Sequence, residues 1–136
     1  PLVKIISGGE MSRFMLALKV ITSKTDEIET LIFDEIDTGI SGKIGQAVAQ
    51  KLAKIAHGRQ VLCVTHLAQI AAMADCHFYI AKQVKDDATY TEVLRLDEEG
   101  MVEEISRMSG GKDISSQAME NAAQMKKWSN DFKAAL

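Results

Sequence analysis

A short apolar run that ends directly in two acids constrains the fold more than any other feature of the chain. Thr30 to Phe33 is apolar and β-branched without polar alternation, which is typical of a strand buried on both faces of a parallel sheet. Asp34 and Glu35 follow at its carboxyl end, which opens onto the ligand crevice in open α/β sheets. Adjacent carboxylates are costly to desolvate unless a cation compensates them. The run therefore predicts a site where Asp34 holds Mg²⁺ and Glu35 orients a water molecule; solvated acids in a turn are the alternative.

The same pattern recurs further along the chain. Gln60 to Thr65 is a second run that is apolar on both faces, and His66 stands at its end. Between the two runs, apolar spacing predicts a helix that opens at Ser41 or Gly42, and a short apolar helix is predicted over Leu67–Ala74. Strand, helix, strand and helix in this order indicate parallel strands joined by right-handed crossovers, which is an α/β fold.

A serine and two glycines precede the first predicted helix, Met11 to Ser23. The apolar face of that helix comprises Phe14, Leu16, Ala17, Leu18, Val20 and Ile21, with Arg13 and Lys19 on its other sides. Ser7 is a good N-cap residue, and Gly8 and Gly9 allow backbone N–H groups to face a ligand. Since a helix N-terminus favours negative charge, this turn is a candidate anion site; a simple helix cap is the alternative.

The pattern changes at about Cys76. Strands are predicted over His77–Lys82 and Thr89–Leu96, the second of which alternates in a way that favours a hairpin at a sheet edge. Met101–Ile105 reads as a short fifth strand, with Asp97–Gly100 before it as a polar turn and Arg107–Asp113 after it as a glycine-containing link. A last apolar stripe predicts a helix from Ile114 to Leu136, docked on the domain or, alternatively, available to a partner.

Length and composition limit the possible classes of protein. A chain of 136 residues with 46% hydrophobic and 26% charged residues suits one globular domain, or part of one. A net charge of −3 argues against an extensive duplex-binding surface on this segment. Two cysteines, Cys63 and Cys76, fit a reducing compartment; a zinc site with His66 and His77 is an alternative that the separation of these side chains disfavours. No apolar run approaches the ~20 residues of a membrane span, so we expect a cytoplasmic protein.

Three motifs in a fixed order resemble the second half of an ABC-type ATPase head. Ser7-Gly8-Gly9-Glu10 matches the signature motif, Leu31 to Glu35 matches Walker B with its glutamate, Asp37 matches the D-loop and His66 matches the switch histidine. The resemblance is closest to an SMC-like branch of bacterial DNA-repair ATPases. It extends from Pro1 to about Met108 and is most specific over the first seventy residues.

The resemblance implies a coiled-coil ATPase whose two heads enclose ATP and Mg²⁺ and which acts in recombinational repair of double-strand breaks. In such heads, the residue matching Asp34 supports Mg²⁺, the one matching Glu35 activates water, and the one matching His66 senses the γ-phosphate. The signature residues Ser7, Gly8, Gly9 and Glu10 and the D-loop residue Asp37 would contact nucleotide across the head dimer. The implied fold is the C-terminal half of an ABC/SMC-type P-loop head: parallel strands with flanking helices, an antiparallel edge hairpin and a C-terminal helix. The implied partners are a second head, the head's own N-terminal lobe and, through the full-length protein, DNA in the nucleoid.

One departure from the family pattern is large, because the chain contains no Walker A sequence. Gly42-Lys43 is followed by Ile44, and Gly111-Lys112 is followed by Asp113. We therefore expect residues 1–136 to form a single partial domain, cut from a longer polypeptide since it starts at Pro1, and inactive without its first lobe. Two alternatives stay open: the head of another SMC-like or mismatch-repair ATPase, and an assembly module whose main role is to dock another head.

Overall fold

The computed structural model describes residues 7–22, 27–85, 88–110 and 115–136. Five helices and four strands lie in these ranges. In chain order they are α1 (Gly8–Thr22), β1 (Thr30–Phe33), α2 (Gly42–Ala56), β2 (Gln60–Cys63), α3 (Ala68–Met73), β3 (Phe78–Lys85), β4 (Ala88–Arg95), α4 (Glu98–Gly110) and α5 (Ser116–Ala134). No helix in the described ranges is long and apolar enough to cross a membrane.

The first sheet is a parallel pair whose strands are joined through α2. β1 and β2 run in register, with Thr30 opposite Gln60 and Phe33 opposite Cys63. The next pairing step continues beyond β2, since the Val64 N–H donates to the Phe33 carbonyl at 3.0 Å. Both acids and His66 therefore follow strands that end at the same edge. The predicted strand–helix–strand unit and its parallel pairing are confirmed.

Burial on both faces of this sheet, however, was a wrong prediction. Leu31 and Phe33 are buried, whereas Ile32 between them is 72% exposed and Leu62 opposite it is also exposed. Side chains alternate along a strand, and the buried cluster lies on the Leu31 face. The cluster comprises Leu16, Leu31, Phe33, Ile36, Val48, Ala49, Leu52, Ala53, Ile55, Ile70 and Met73.

The broad apolar face predicted for the first helix is also only partly covered. Of its residues, Leu16 is buried in the core, while Phe14, Leu18 and Ile21 are exposed. The helix itself is present, and α1 packs against α2. Apolar periodicity thus predicted the helix correctly, but it did not predict which part of the stripe the described residues bury.

The second sheet is the predicted hairpin. β3 and β4 pair antiparallel, with Phe78 opposite Arg95 and Lys85 opposite Ala88. Large apolar side chains on both faces of this two-stranded sheet are exposed, among them Ile80 and Tyr90.

Met101–Ile105 is not a strand, because it lies inside α4 (Glu98–Gly110). Asp97, interpreted above as part of a turn, caps this helix: its Oδ1 accepts the Gly100 N–H at 2.8 Å. Met101 and Ile105, four residues apart, are both buried on one helical face. The strand predicted for this short apolar run is therefore wrong. Most of the link predicted over Arg107–Asp113 is also helical. Residues 111–114, including Ile114, lie outside the described ranges.

The C-terminal helix docks on the domain, as expected. Ala122 of α5 packs with Ile105 of α4 and Ala72 of α3 in a second buried cluster. The Lys126 Nζ donates to the carbonyls of Ala72 and Ala74, at 3.3 and 2.5 Å. Lys126 thereby satisfies carbonyl groups at the end of α3 that have no partner within the helix.

His77 binds a carbonyl at the same helix end, that of Ala71, which also accepts the Ala74 N–H. Its ring is buried, and its Nε2 donates to the Ala71 carbonyl at 2.7 Å. Burial lowers the pKa of His77, and the nearby Lys126 ammonium acts in the same direction, against the effect of the hydrogen bond to Ala71.

The chain should therefore lose stability as the pH falls from about 7 towards 5. The His77 ring titrates at about 6.5 when unfolded and lower when folded, so the unfolded state binds more protons in this interval. Stability that is present above the unfolded pKa is lost as the pH falls through the folded pKa. Urea unfolding at a series of pH values measures this loss. His77→Gln, whose amide can still donate to Ala71, should flatten the slope, whereas His57→Gln on the surface should keep it; an unchanged slope in His77→Gln would contradict the assignment.

Candidate functional site

The turn before α1, from Ser7 to Glu10, is a reciprocal cap. The Ser7 N–H and hydroxyl donate to the Glu10 Oε2 at 2.9 and 2.8 Å, and the Glu10 N–H approaches the Ser7 Oγ at 3.4 Å. The hydrogen bonds from the Ser7 backbone and hydroxyl lower the pKa of Glu10. The predicted N-cap at Ser7 is confirmed. Contact of this turn with an anion stays a prediction.

Gly8 and Gly9 lie directly against the segment from Asp34 to Thr38, which we call the acidic segment. A Cβ on Gly9, which is buried, would lie 2.9 Å from the Glu35 carbonyl oxygen and 3.0 Å from the Thr38 Cβ. A Cβ on Gly8 would lie 2.5 Å from the Glu35 Oε2. The two glycines therefore have a packing role inside this chain, because a side chain at Gly9 would push the acidic segment away.

Two residues that the sequence analysis did not single out hold the acidic segment from α1. The Ser12 hydroxyl donates to the Asp34 carbonyl at 2.8 Å. The Arg13 Nη1 donates to the carbonyls of Ile36 and Thr38, at 3.1 and 2.8 Å. Their only sequence signal is a polar position off the apolar face of α1, which ordinary surface residues share.

The two acids after β1 are both exposed, and the backbone turns sharply at the second. Glu35 has φ +56°, in the left-handed region that a residue with a side chain rarely adopts. Its N–H donates to the Asp34 Oδ1 at 2.9 Å. Because of this turn, the Glu35 carboxylate lies beside Gly8 at the start of α1.

Asp37 lies beneath the loop from Thr65 to Leu67, which we call the His66 loop. It is 2% exposed, and its Oδ2 accepts the Thr65 hydroxyl at 2.5 Å and the N–H groups of His66 and Leu67 at 2.7 and 3.2 Å. The same oxygen lies 3.0 Å from the His66 Nδ1. Burial opposes ionisation of Asp37, but the hydrogen bonds from Thr65 and His66 outweigh it and lower the pKa of the carboxyl.

The structure thus brings the three predicted motifs into one connected cluster. The Ser7 turn packs on the acidic segment, which in turn bonds the His66 loop through Asp37. Cys63, at the end of β2, lies near this cluster. Burial, with the charges of Asp37 and Asp34, raises the pKa of the Cys63 thiol to about 12, so this cysteine is neutral at physiological pH.

Asp34 is an exposed carboxylate that could bind Mg²⁺, but the described residues around it do not form a complete set of metal ligands. Within the described ranges, no three His, Cys, Asp or Glu side chains converge as metal ligands. Asp34 is exposed at the end of β1, and one exposed carboxylate suits Mg²⁺, which keeps several waters and takes its other ligands from phosphates. Asp34 therefore fits the ion as a single protein ligand.

A cleft among the described residues lies away from this cluster. It has a volume of about 420 Å³ and lies between the start of α2 and the middle of α5, where Lys43, Gln69 and Trp128 are among its lining residues. None of the predicted site residues lines it.

Comparison with known proteins identifies the family of the segment. No protein-family profile matches the chain. It is 47% identical over 132 residues to the DNA repair protein RecN of Bacillus subtilis (strain 168), covering 97% of this chain and 23% of that protein. It is 49% identical over 125 residues to RecN of Halalkalibacterium halodurans and 44% identical over 125 residues to RecN of Deinococcus radiodurans, each match covering 92% of this chain and 22% of the relative. The matched segment belongs to the RecN family.

The RecN matches confirm the bacterial DNA-repair resemblance that the motifs indicated and decide against the alternative of another protein family, whereas the ABC/SMC-type ATPase head stays a prediction. The match to the Bacillus subtilis RecN leaves four of the 136 residues outside it, so the Ser7 turn, the acidic segment and the His66 loop all lie within it. The chain spans less than a quarter of the length of the RecN relatives it matches.

Proposed function

We propose that this chain is the C-terminal lobe of an ABC/SMC-type ATPase head in a RecN protein, acting in recombinational repair of DNA double-strand breaks. The observation that carries the proposal is the connected cluster, in which Gly9 packs against Glu35 and Asp37 bonds the His66 loop. Three motifs that are distant in sequence thereby meet at one surface. The names of the relatives, all DNA repair proteins, support the biological role.

Each residue has a proposed task at that surface. Asp34 would hold Mg²⁺, which neutralises charge on the ATP phosphates. Glu35 orients the attacking water through its carboxylate, and His66 contacts the γ-phosphate. Ser7, Gly8, Gly9 and Glu10 form the turn that meets nucleotide held by a second head, with Asp37 beneath the His66 loop.

The rest of the nucleotide site belongs to partners in this proposal. A first lobe of the same head supplies the Walker A loop and its lysine, and a second head completes the ATP sandwich. DNA is contacted by the full-length, coiled-coil protein in the cytoplasm rather than mainly by residues 1–136, whose net charge is −3.

A second candidate function is an assembly module that mainly docks other parts of a head. The exposed apolar face of the first sheet, which includes Ile32 and Leu62, favours this role. The two candidates are compatible, since a half-site must be docked before it can act. They differ in whether Asp34 and Glu35 are needed for turnover.

A chimera tests the proposal. The 132 residues of Bacillus subtilis RecN that match this chain are replaced by the chain, and ATP hydrolysis is measured with and without Mg²⁺. We expect Mg²⁺-dependent hydrolysis comparable with that of the parent. The isolated chain should show neither hydrolysis nor micromolar binding of Mg-ATP by calorimetry, because the Walker A lysine is missing. A folded chimera without ATPase activity, or an active isolated chain, would contradict the proposed site.

A further inference from the structure

We propose that Asp37 is a positioning residue that fixes the ring of His66, so that Nδ1 faces the protein and Nε2 faces outward. The contact of His66 with a phosphate rests on the proposed function. The orientation of the ring does not, since it follows from the contacts within this chain.

The contacts concentrate on one carboxylate oxygen. The Asp37 Oδ2 lies 2.7 Å from the backbone N and 3.0 Å from the ring Nδ1 of His66, so it holds both the main chain and the ring of one residue. The Thr65 hydroxyl donates to the same oxygen. A carboxylate that accepts the backbone N–H of a histidine and lies 3.0 Å from the ring Nδ1 of the same residue favours this one orientation of the ring by its charge.

The difference in burial between Asp37 and His66 indicates which side of the imidazole ring faces the solvent. The Asp37 side chain is 3% exposed, whereas the His66 side chain is 70% exposed. Nδ1 is the ring nitrogen that lies 3.0 Å from the buried carboxylate, and Nε2 is on the far side of the imidazole. A ligand that approaches the surface therefore meets Nε2, which is an acceptor in the neutral ring and a donor in the protonated ring.

Asp37 cannot easily turn away, because the backbone on both sides of it is held. The carbonyl groups of Ile36 and Thr38 both accept from the Arg13 Nη1. The Ile36 side chain is fully buried in the core cluster. The carboxylate is thus presented to the His66 loop by a segment anchored to α1 and to the core.

The tautomer of His66 reports this arrangement directly, because a carboxylate close to one ring nitrogen favours the proton on that nitrogen. The chain has three histidines with different surroundings. We expect the Nδ1–H form for His66, whose Nδ1 lies beside the Asp37 carboxylate, and the Nε2–H form for the buried His77, which donates to the Ala71 carbonyl. The exposed His57 serves as the solvent reference.

The experiment is ¹⁵N NMR of the imidazole nitrogens of the chain at a pH where the rings are neutral. In the wild type, the Nδ1–H form of His66 should be enriched relative to His57. In Asp37→Asn, which keeps the shape and removes the charge, the ratio for His66 should move towards that of His57, while the signals of His77 stay in place and report an intact fold. Thr65→Val removes one hydrogen bond to Asp37 and leaves the ring contact, so it should keep the wild-type ratio for His66.

Two NMR results would overturn the proposal. The first is a wild-type His66 with the tautomer ratio of His57. The second is an equal change in Asp37→Asn and Thr65→Val, because general loosening of the loop would then explain the effect.

A kinetic measurement separates this proposal from the proposed function. In the RecN chimera, Asp37→Asn should lower kcat more than it changes KM. Unchanged kcat together with the NMR shift would refute a positioning role in turnover, whereas an inactive wild-type chimera would refute the proposed function and leave the NMR result standing.

Discussion

If the proposed function is correct, we expect Glu35→Gln to lower ATP turnover by the RecN chimera strongly while leaving its fold intact. The amide has the shape of the carboxylate, so the left-handed backbone at Glu35 and its packing against Gly8 are kept. What the variant would lose is the negative oxygen that we propose orients and activates the attacking water. Removal of such a group lowers a rate by about 10²- to 10⁴-fold. Steady-state phosphate release measures the loss, and we expect ATP to stay trapped between closed heads.

Two further variants make this result specific. Glu103→Gln changes an exposed glutamate on α4, remote from the cluster, and should leave turnover unchanged. Asp34→Asn should weaken the Mg²⁺-dependent step as well as turnover, so the concentration of Mg²⁺ needed for half-maximal activity should rise. Near-normal hydrolysis in Glu35→Gln would contradict this role and favour the alternative that Asp34 and Glu35 are solvated acids in a turn.

Gly9→Ala destabilises the chain itself, without any nucleotide present. The added Cβ would lie 2.9 Å from the Glu35 carbonyl oxygen, a backbone atom that can move only with the whole acidic segment. Overpacking of this kind costs about 1–3 kcal/mol. The loss is read as a lower midpoint in urea unfolding followed by circular dichroism. In the RecN chimera, the same variant should also lower ATPase activity, since the displaced segment carries Glu35 and Asp37.

Gly110→Ala is the matched control. A Cβ at Gly110, the last residue of α4, would meet the Ala118 Cβ at an ordinary 3.9 Å, so this substitution should be neutral or slightly stabilising. The comparison distinguishes two reasons for a glycine at position 9. If Gly9 served only a nucleotide held by a second head, the stability of the isolated chain would not change in Gly9→Ala.

Much of the fold was predictable because its signals are local. Apolar spacing predicted α2 and α3, the Ser7 cap predicted the start of α1, and apolar runs predicted the parallel pair β1 and β2. The predicted site residues Asp34, Glu35 and His66 follow these strands. A strand end is a position in sequence, and parallel strands bring their carboxyl ends to one edge of a sheet.

Local signals failed where two structures share a pattern. Met101 to Ile105 is apolar at both ends and short enough for a strand, yet Asp97 caps a helix there and Met101 and Ile105 bury the same helical face. A short apolar run does not distinguish these outcomes, because its period is sampled too few times. Burial was likewise not encoded in the run from Thr30 to Phe33: Ile32 is as apolar as Leu31, and only the placement of the helices decides which of them is exposed.

The sequence by itself determined which chemical groups this segment carries, in what order, and on which strands and helices they lie. Tertiary structure decided how those groups are held. Arg13 reads as one more cation on a polar helix side, and the D-loop match of Asp37 does not predict its contact with His66. Folding brings Arg13 to the carbonyls of Ile36 and Thr38 and places Asp37 beneath His66. Hydrogen bonds across more than twenty residues depend on distances that no local period records, so the positions of Glu35 and His66 follow from packing rather than from their motifs.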